Sequence, residues 1–209
     1  MKLFHSIEIL IQRLMNEFDK IDSTRKELLL SFASEISEKL HTNTEVNLTF
    51  ICTHNSRRSH FGQIWAQTAS EFYGIKNLNC FSGGTETTAF NIRAVQAIIS
   101  GGFEAVKLSE DDNPKYLVSY SYDRKPIECF SKVYNDKFNP QKNYIAIMTC
   151  SHADENCPIV FGADSRFPIR YDDPKEFDDT LIEQQKYKER FEQIGREMLF
   201  AFNNVIMKN

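Results

Sequence analysis

Residues 46–60, VNLTFICTHNSRRSH, decide the fold, because an apolar run ends at a cysteine and polar and basic residues follow at once. The run VNLTFI predicts a β-strand, and the pattern from Ser59 to Tyr73 predicts a helix. Cys52 is therefore expected at the carboxyl end of a strand, and Arg58 at the start of the next helix. Open α/β sheets bind their ligands at this kind of junction.

The loop between this strand and helix is predicted to bind an oxyanion. Backbone N–H groups at a helix start lack intrahelical partners, and the helix dipole adds partial positive charge. The same field favours a thiolate at Cys52, and the planar fork of Arg58 can hold two oxygens of a tetrahedral anion. We expect Ser59 to donate a hydrogen bond to the sulfur and Asn55 to bond its own backbone. The predicted oxyanion-binding loop consists of Cys52, Thr53, His54, Asn55, Ser56, Arg57 and Arg58.

The remainder of residues 46–209 predicts one α/β domain. Strands are expected over residues 77–81 and 143–149, and helices over residues 91–100, ended by Gly101 and Gly102, and from about residue 180 to 206. Strands alternating with helices favour an open parallel sheet with right-handed crossovers. Residues 107–141 instead alternate apolar and polar side chains, which predicts a β insertion, either a hairpin or a sheet-edge extension, turning at DRKP.

Residues 1–45 predict a helical hairpin extension. Thr24, three residues before Glu27, is expected to start the second helix as a capping box. Packing of the hairpin on its own domain is favoured over partner docking or a homodimer through these helices. The apolar stripes of the two helices consist of Ile7, Leu10, Ile11, Leu14 and Phe18, and of Leu28, Leu29, Phe32, Ile36 and Leu40.

Composition narrows the class of protein. The 209 residues, 41% of them hydrophobic, suffice for one domain or one domain with an appendage. A net charge of −4 provides no basic field for nucleic acid, and no apolar run has the length of a membrane span. Glu8 and Arg13 interrupt the N-terminal apolar pattern, which argues against a signal peptide. Five cysteines, an odd number, favour reactive or buried thiols in a cytoplasmic protein over a disulfide framework.

The spacing C-x5-R followed by serine, at a strand-to-helix junction, resembles the low-molecular-weight protein tyrosine phosphatase superfamily. Three further stretches are similar to its thioredoxin-coupled arsenate reductases: FSGGTETTAFNIRAVQAI at residues 81–98, MTCSHADENCP at 148–158 and YDDPKEF at 171–177. The resemblance covers about residues 46–100 and 143–174. It implies a three-layer α/β fold with an open parallel sheet.

The same resemblance implies a set of roles. Cys52 would attack arsenate held by the loop and Arg58, Asp173 would protonate the departing oxygen, and Cys150 and Cys157 would form the redox pair. Thioredoxin would be the external reductant, with no tightly bound cofactor and no metal. Asp172 is a rival acid, but the residue before a proline is extended and fixed, which favours Asp173.

Two other functions stay open at this point. A phosphatase of this superfamily needs only Cys52, Arg58 and the aspartate, although such enzymes commonly carry tyrosines where Lys175 and Glu176 follow the proline here. A non-catalytic oxyanion sensor or interaction module would bind arsenate or phosphate without turnover.

Some residues depart from the family pattern. His54 stands where the loop commonly has glycine, so the backbone there is expected either to accept a side chain at an awkward dihedral or to differ slightly from that of the family. Arg57 is a second cation that either deepens anion affinity or points to solvent. Gln63 replaces a glutamate that helps some arsenate reductases to bind potassium, which argues against such a site. Cys80 and Cys129 are expected to be packing residues.

Overall fold

The computed structural model describes residues 2–42, 45–156 and 159–206. Within them, helices are α1 His5–Met15, α2 Ser23–His41, α3 Arg58–Phe72, α4 Ile92–Ser100, α5 Ser151–Asn156 and α6 Glu183–Ile206. Strands are β1 Val46–Cys52, β2 Leu78–Gly84, β3 Glu104–Lys107, β4 Tyr116–Ser119, β5 Ile127–Cys129, β6 Tyr144–Met148 and β7 Ala163–Phe167. Short 3₁₀ turns cover Phe18–Lys20 and Pro174–Phe177.

The predicted open parallel sheet is present, with strand order β2-β1-β6-β7 and all neighbours parallel. Alternate residues of β1 and β6 face two separate cores. Leu48 and Phe50 belong to the large core beneath the long helices, whereas Ile51 and Cys52 belong to a smaller one beside α5. Burial on both faces explains why β6 is apolar along its whole length. The α/β fold class predicted from the sequence is confirmed.

The N-terminal hairpin packs on its own chain, as favoured from the sequence. The stripe of α1 lies in the large core, and so do Leu29, Phe32 and Ile36 of α2. Ion pairs fasten both helices to α6, with Arg13 on Glu192 at 2.6 Å and Arg25 on Glu197 at 2.9 Å. A homodimer through these helices stays a prediction.

The start of α2 differs from the capping-box prediction. The helix begins at Ser23, and Asp22 is its N-cap, accepting a hydrogen bond from the backbone N–H of Arg25 at 2.9 Å. An aspartate satisfies the first turn as well as a threonine does, and here it lies one residue before the helix.

The β insertion is a separate antiparallel sheet of order β3-β4-β5. The hairpin of β4 and β5 pairs Tyr116 with Cys129, and the DRKP residues lie in its connection, which confirms the hairpin interpretation. Strand β3 precedes the predicted start of the insertion and was not expected, because its four residues are largely exposed and too few to show alternation. Gly102, with φ +91°, supplies the left-handed residue predicted after α4. No helix in the described ranges has the length and hydropathy needed to cross a bilayer.

Candidate active site

Cys52 is the last residue of β1, and α3 begins at Arg58, as predicted. Strand β1 lies between β2 and β6, with Cys52 beside Gly84 and Ile51 beside Met148. Because these strands are parallel, their carboxyl ends meet at one edge of the sheet. The loop therefore lies where residues from three strands converge.

The backbone of this loop forms a cradle with unused donors. Among the described residues, the N–H groups of residues 54 to 60 donate none of the backbone hydrogen bonds, and the N-cap residue Arg57 provides no side-chain cap for α3. Such a set of N–H groups at a helix start attracts an oxyanion.

The sulfur of Cys52 lies at the base of this cradle. Its side chain is only 3% exposed, and its Sγ atom lies 3.1 Å from the Ser59 Oγ atom. The predicted contact between Ser59 and the sulfur is thus present.

Asn55 holds Ser59 in place, but differently from the prediction. Its Nδ2 donates to the Ser59 Oγ atom at 2.9 Å, and its Oδ1 accepts from the backbone N–H of Lys132 at 3.0 Å. The left-handed residue of the loop is Asn55, with φ 45°, and not His54. The expected bond from Asn55 to its own backbone was wrong, because its amide contacts Ser59 and Lys132 instead. For His54, the second alternative holds: the backbone differs there, and the left-handed conformation lies at Asn55, where asparagine tolerates it.

Substituting Asn55 tests this bridge. Glycine keeps the left-handed backbone but loses both hydrogen bonds, whereas alanine also imposes about 1 kcal/mol of strain. We expect Asn55→Ala to lower the free energy of unfolding by about 1 kcal/mol more than Asn55→Gly, measured by urea denaturation. Equal losses in the two variants would contradict a strained Asn55.

Arg58 reaches across the mouth of the loop. It donates to the backbone oxygen of Tyr171 at 2.8 Å and to Oδ2 of Asp173 at 2.5 Å. Its Nε is buried and has no partner among the described residues. The two terminal nitrogens of the fork are thus held by the backbone oxygen of Tyr171 and by Asp173.

Arg57 does not point to solvent, and its effect on anion affinity stays a prediction. Its side chain is buried, donates from Nε to the Tyr187 hydroxyl at 2.7 Å and lies 3.5 Å from Asp178. It approaches Asp173 only at 4.0 Å. Arg57 therefore ties the loop to α6 rather than pointing to solvent.

The two neighbouring aspartates occupy different environments. Asp173 caps the 3₁₀ turn by accepting from the backbone N–H of Lys175 at 3.1 Å, and it faces Arg58. The side chain of Asp172 is 87% exposed and pairs with Arg190 at 3.1 Å. Only Asp173 stands beside the loop, in agreement with the choice made from the sequence.

Cys150 follows β6 directly and precedes α5. Its Sγ atom lies 3.4 Å from Thr53 Oγ1 and accepts from the backbone N–H of Ala153 at 3.4 Å. Cys52 and Cys150 belong to the same small buried core. Cys157, the third predicted redox residue, lies outside the described residues.

The other two cysteines are buried packing residues, as expected. Burial raises the pKa of the Cys80 thiol well above its usual value and that of the Cys129 thiol to about 12. Both belong to the large core, on β2 and β5. Within the described ranges, no three histidine, cysteine, aspartate or glutamate side chains are grouped as a metal site would require.

Two features of the site, which involve Gly84 and Ser131, were not predicted from the sequence. A Cβ on Gly84 would lie 2.6 Å from the oxygen of Thr53 and 2.8 Å from the nitrogen of Asn55, so only glycine permits this close approach. The Oγ of Ser131 donates to the oxygen of His54 at 2.8 Å, beside the bond from Lys132 to Asn55. No spacing in the sequence relates Ser131 to the loop, because the contact spans the whole β insertion.

His60, in the first turn of α3, is fully buried beside the loop. Its Nδ1 lies 3.2 Å from the Ser82 Oγ, its ring lies 4.0 Å from that of Phe90, and its Nε2 has no partner among the described residues. Burial, reinforced by the charge of Lys132, lowers the pKa of His60 well below its usual value. The folded protein therefore holds this imidazole neutral.

This imidazole makes stability depend on pH. Below about pH 6.5 the unfolded chain binds a proton at His60 that the folded chain rejects, so stability falls as the pH falls. We expect this group to cost about 1.4 kcal/mol at about pH 5.5 and almost nothing at about pH 7.5. Urea denaturation at both pH values should show that the free energy of unfolding changes less between them in His60→Gln than in the unsubstituted protein. An equal change in the two proteins would contradict a neutral buried His60.

Comparison with known proteins supports the fold. No protein-family model matches the chain. The chain is 29% identical over 125 residues to arsenate reductase 2 of Staphylococcus saprophyticus, covering 60% of this chain and 76% of the relative. It superposes on a low-molecular-weight protein tyrosine phosphatase from T. tengcongensis with a TM-score of 0.50 at 17% identity, covering 78% of this chain and 99% of the other.

A mutant of the YwlE protein from Bacillus subtilis gives a TM-score of 0.51 at 13% identity, with 78% and 99% of the two chains covered. At these identities the superpositions establish the fold, and the sequence match adds the likeness to a reductase. The chain is therefore a protein of the low-molecular-weight protein tyrosine phosphatase fold, and its sequence is similar to that of an arsenate reductase.

Proposed function

We propose that this protein reduces arsenate to arsenite through a cysteine relay that starts at Cys52. The observation that carries the proposal is a second thiol beside the loop. Cys150 contacts Thr53, the residue after Cys52, and belongs to the same small buried core as Cys52. Hydrolysis of a phosphate ester uses one thiol only. A buried second thiol beside the first has a direct use in a two-electron reduction.

In the first step, the free N–H groups of the loop and the guanidinium of Arg58 hold the tetrahedral oxyanion. The Cys52 thiolate attacks arsenic, a sulfur–arsenic bond forms, and an oxygen leaves as water after accepting a proton from Asp173. Asp173 caps the 3₁₀ turn and contacts Arg58, and this position beside the loop supports the role proposed for it.

In the second step, the Cys150 thiolate attacks the sulfur of Cys52. A disulfide forms between the two residues, the sulfur–arsenic bond breaks, and its electron pair stays on arsenic, which leaves as arsenite. Cys157 then attacks Cys150, which releases Cys52 as a thiolate and leaves a disulfide between Cys150 and Cys157. Thioredoxin, a dithiol reductant, would reduce that disulfide and complete the cycle.

Helix α5 separates the two residues of this final disulfide along the chain. Asn156, its last residue, lies about 9 Å along the helix axis from Cys150 at a rise of about 1.5 Å per residue. A disulfide joins Cα atoms that lie about 4.4–6.8 Å apart, so we infer that the last turn of α5 opens during the relay. The side chain of Asp154 opposes this, because it pairs with Arg166 and Arg170 and is only 3% exposed.

Removing the ion pairs of Asp154 should favour the relay. We expect Asp154→Asn to lower the free energy of unfolding by about 1 kcal/mol, because Arg166 and Arg170, both partly exposed, each lose an ion-pair partner. We also expect it to speed formation of the final disulfide in a single turnover, followed by mass spectrometry. Glu155→Gln is the matched control, because Glu155 is exposed and approaches Arg170 only at 3.9 Å. Slower disulfide formation in Asp154→Asn would show that α5 need not unwind.

Phosphatase activity is the second candidate, because Cys52, Arg58 and Asp173 are also sufficient for hydrolysis of a phosphate ester. Lys175 and Glu176 follow Pro174 and are both exposed. They leave no aromatic clamp at the two positions where phosphatases of this superfamily commonly have tyrosines, which disfavours an aryl phosphate.

One assay separates these functions. Arsenate with thioredoxin, thioredoxin reductase and NADPH should consume NADPH, and Cys52→Ser should abolish this. Phosphate release from an aryl phosphate without NADPH consumption would favour the phosphatase. Anion binding with neither activity would favour an oxyanion sensor.

A further inference from the structure

A cavity of about 590 Å³ lies behind the loop, on the far side of β2. Strand β2 and helix α3 form one wall, and the β4–β5 connection and the segment after β5 form the other. Its volume is in the range of small-molecule sites. The residues that matter here are Gln63, Phe81, Phe130, Lys132, Phe138 and Asn139.

Lys132 brings a buried positive charge to this cavity. The residue is 5% exposed, and its Nζ lies 4.6 Å from the centre of the Phe130 ring. In the described part of the chain, the ammonium has no carboxylate within 4.0 Å and no hydrogen-bond partner. Burial lowers the pKa of Lys132 from its ordinary value. A buried cation without a carboxylate is costly, and an anion in the cavity would offset that cost.

Two amide oxygens in the cavity wall also lack partners. Gln63 Oε1 and Asn139 Oδ1 are both buried and accept no hydrogen bond among the described residues. Their orientation is fixed, because Gln63 Nε2 donates to the oxygen of Cys80 at 3.1 Å and Asn139 Nδ2 donates to that of Ser82 at 2.9 Å. Neither oxygen is accessible to solvent, so both are enclosed in the wall, and a ligand in the cavity does not contact them.

The charges and rings of the lining define the ligand further. Three carboxylates and three cations line the cavity, so its net charge is zero and a single negative charge fits better than a double one. Phe81, Phe130 and Phe138 supply aromatic walls, with the last two rings edge to face at 5.2 Å. The charged residues are Glu71, Asp123 and Glu128, and Arg124, Lys125 and Lys132.

We propose that this cavity binds a small aromatic monocarboxylate. The carboxylate pairs with Lys132, and the ring packs among the phenylalanines. The site is separate from the oxyanion loop but adjoins it, since the backbone N–H of Lys132 donates to Asn55. Occupancy therefore fixes a residue that supports the loop.

Titration with para-hydroxybenzoate, followed by calorimetry, tests the proposal. We expect a dissociation constant below about 1 mM, consistent with a ligand of this size. We also expect at least about tenfold weaker binding to Lys132→Met, the loss of one charge-assisted hydrogen bond. Saturating phosphate, which occupies the oxyanion loop, should leave binding unchanged.

Two controls keep the test decisive. Lys125→Met removes an exposed lysine from the same lining and should bind as the unsubstituted protein does. The neutral analogue para-hydroxybenzamide should bind the unsubstituted protein at least about tenfold more weakly, which tests the charge without any substitution. No binding at about 10 mM, competition by phosphate, or equal binding to Lys132→Met would overturn the proposal.

Discussion

Replacing Cys150 by serine should abolish the release of arsenite, because serine cannot take the sulfur of Cys52 into a disulfide. The substitution removes only a polarisable sulfur from a site that already contacts a hydroxyl, Thr53 Oγ1 at 3.4 Å, so the fold and the loop should persist. In a single turnover without thioredoxin, the unsubstituted protein should release about one arsenite per chain, and Cys150→Ser none. Arsenite is measured directly, and mass spectrometry locates the disulfide.

Cys80→Ser and Cys129→Ser are the matched controls. With a pKa of about 12, the Cys129 thiol is a thiolate in only about one molecule in ten thousand at about pH 8, so it cannot enter the relay. Both controls should release arsenite as the unsubstituted protein does. Arsenite release by Cys150→Ser, or free thiols at Cys150 and Cys157 after turnover, would exclude the relay.

The sequence was sufficient to predict the elements that carry the chemistry. Apolar runs place β1 and β6, and Cys52, Arg58 and Cys150 lie at the ends of local elements whose bounds follow from hydrophobic pattern. Asp173 followed from its position before Pro174. The positions of these residues in the fold were predicted correctly because each depends on residues close together in the chain, and their roles stay predictions.

The support of the loop could not be predicted in the same way. Asn55 bonds Lys132 across the β insertion, and Arg57 bonds Tyr187 of α6. Contacts over such separations depend on how whole elements pack, and a single sequence does not reveal that. The awkward dihedral that was one alternative for His54 lies at Asn55 instead, because that alternative came from family composition and not from the backbone.

The contact between Asp173 and Arg58 is the basis of the second prediction, a large effect of substituting Asp173. In this structure Asp173 Oδ2 accepts from the same guanidinium that would bind the oxyanion, at 2.5 Å. A negative charge at this place competes with the substrate for Arg58, yet the same group supplies the proton for the departing oxygen. Binding and turnover should therefore respond to its substitution in opposite directions.

We expect Asp173→Asn to lower the turnover of arsenate by about a hundredfold to ten thousandfold, the usual contribution of a general acid. Phosphate, used as a non-reacting anion, should bind this variant more tightly than the unsubstituted protein, because the competing carboxylate is gone. Asp172→Asn, which alters an exposed aspartate paired with Arg190, should change neither quantity by more than about twofold. Calorimetry measures the binding of phosphate, and the arsenite assay measures the turnover of arsenate. Weaker phosphate binding in Asp173→Asn would mean that the carboxylate positions Arg58 for the anion instead of competing with it.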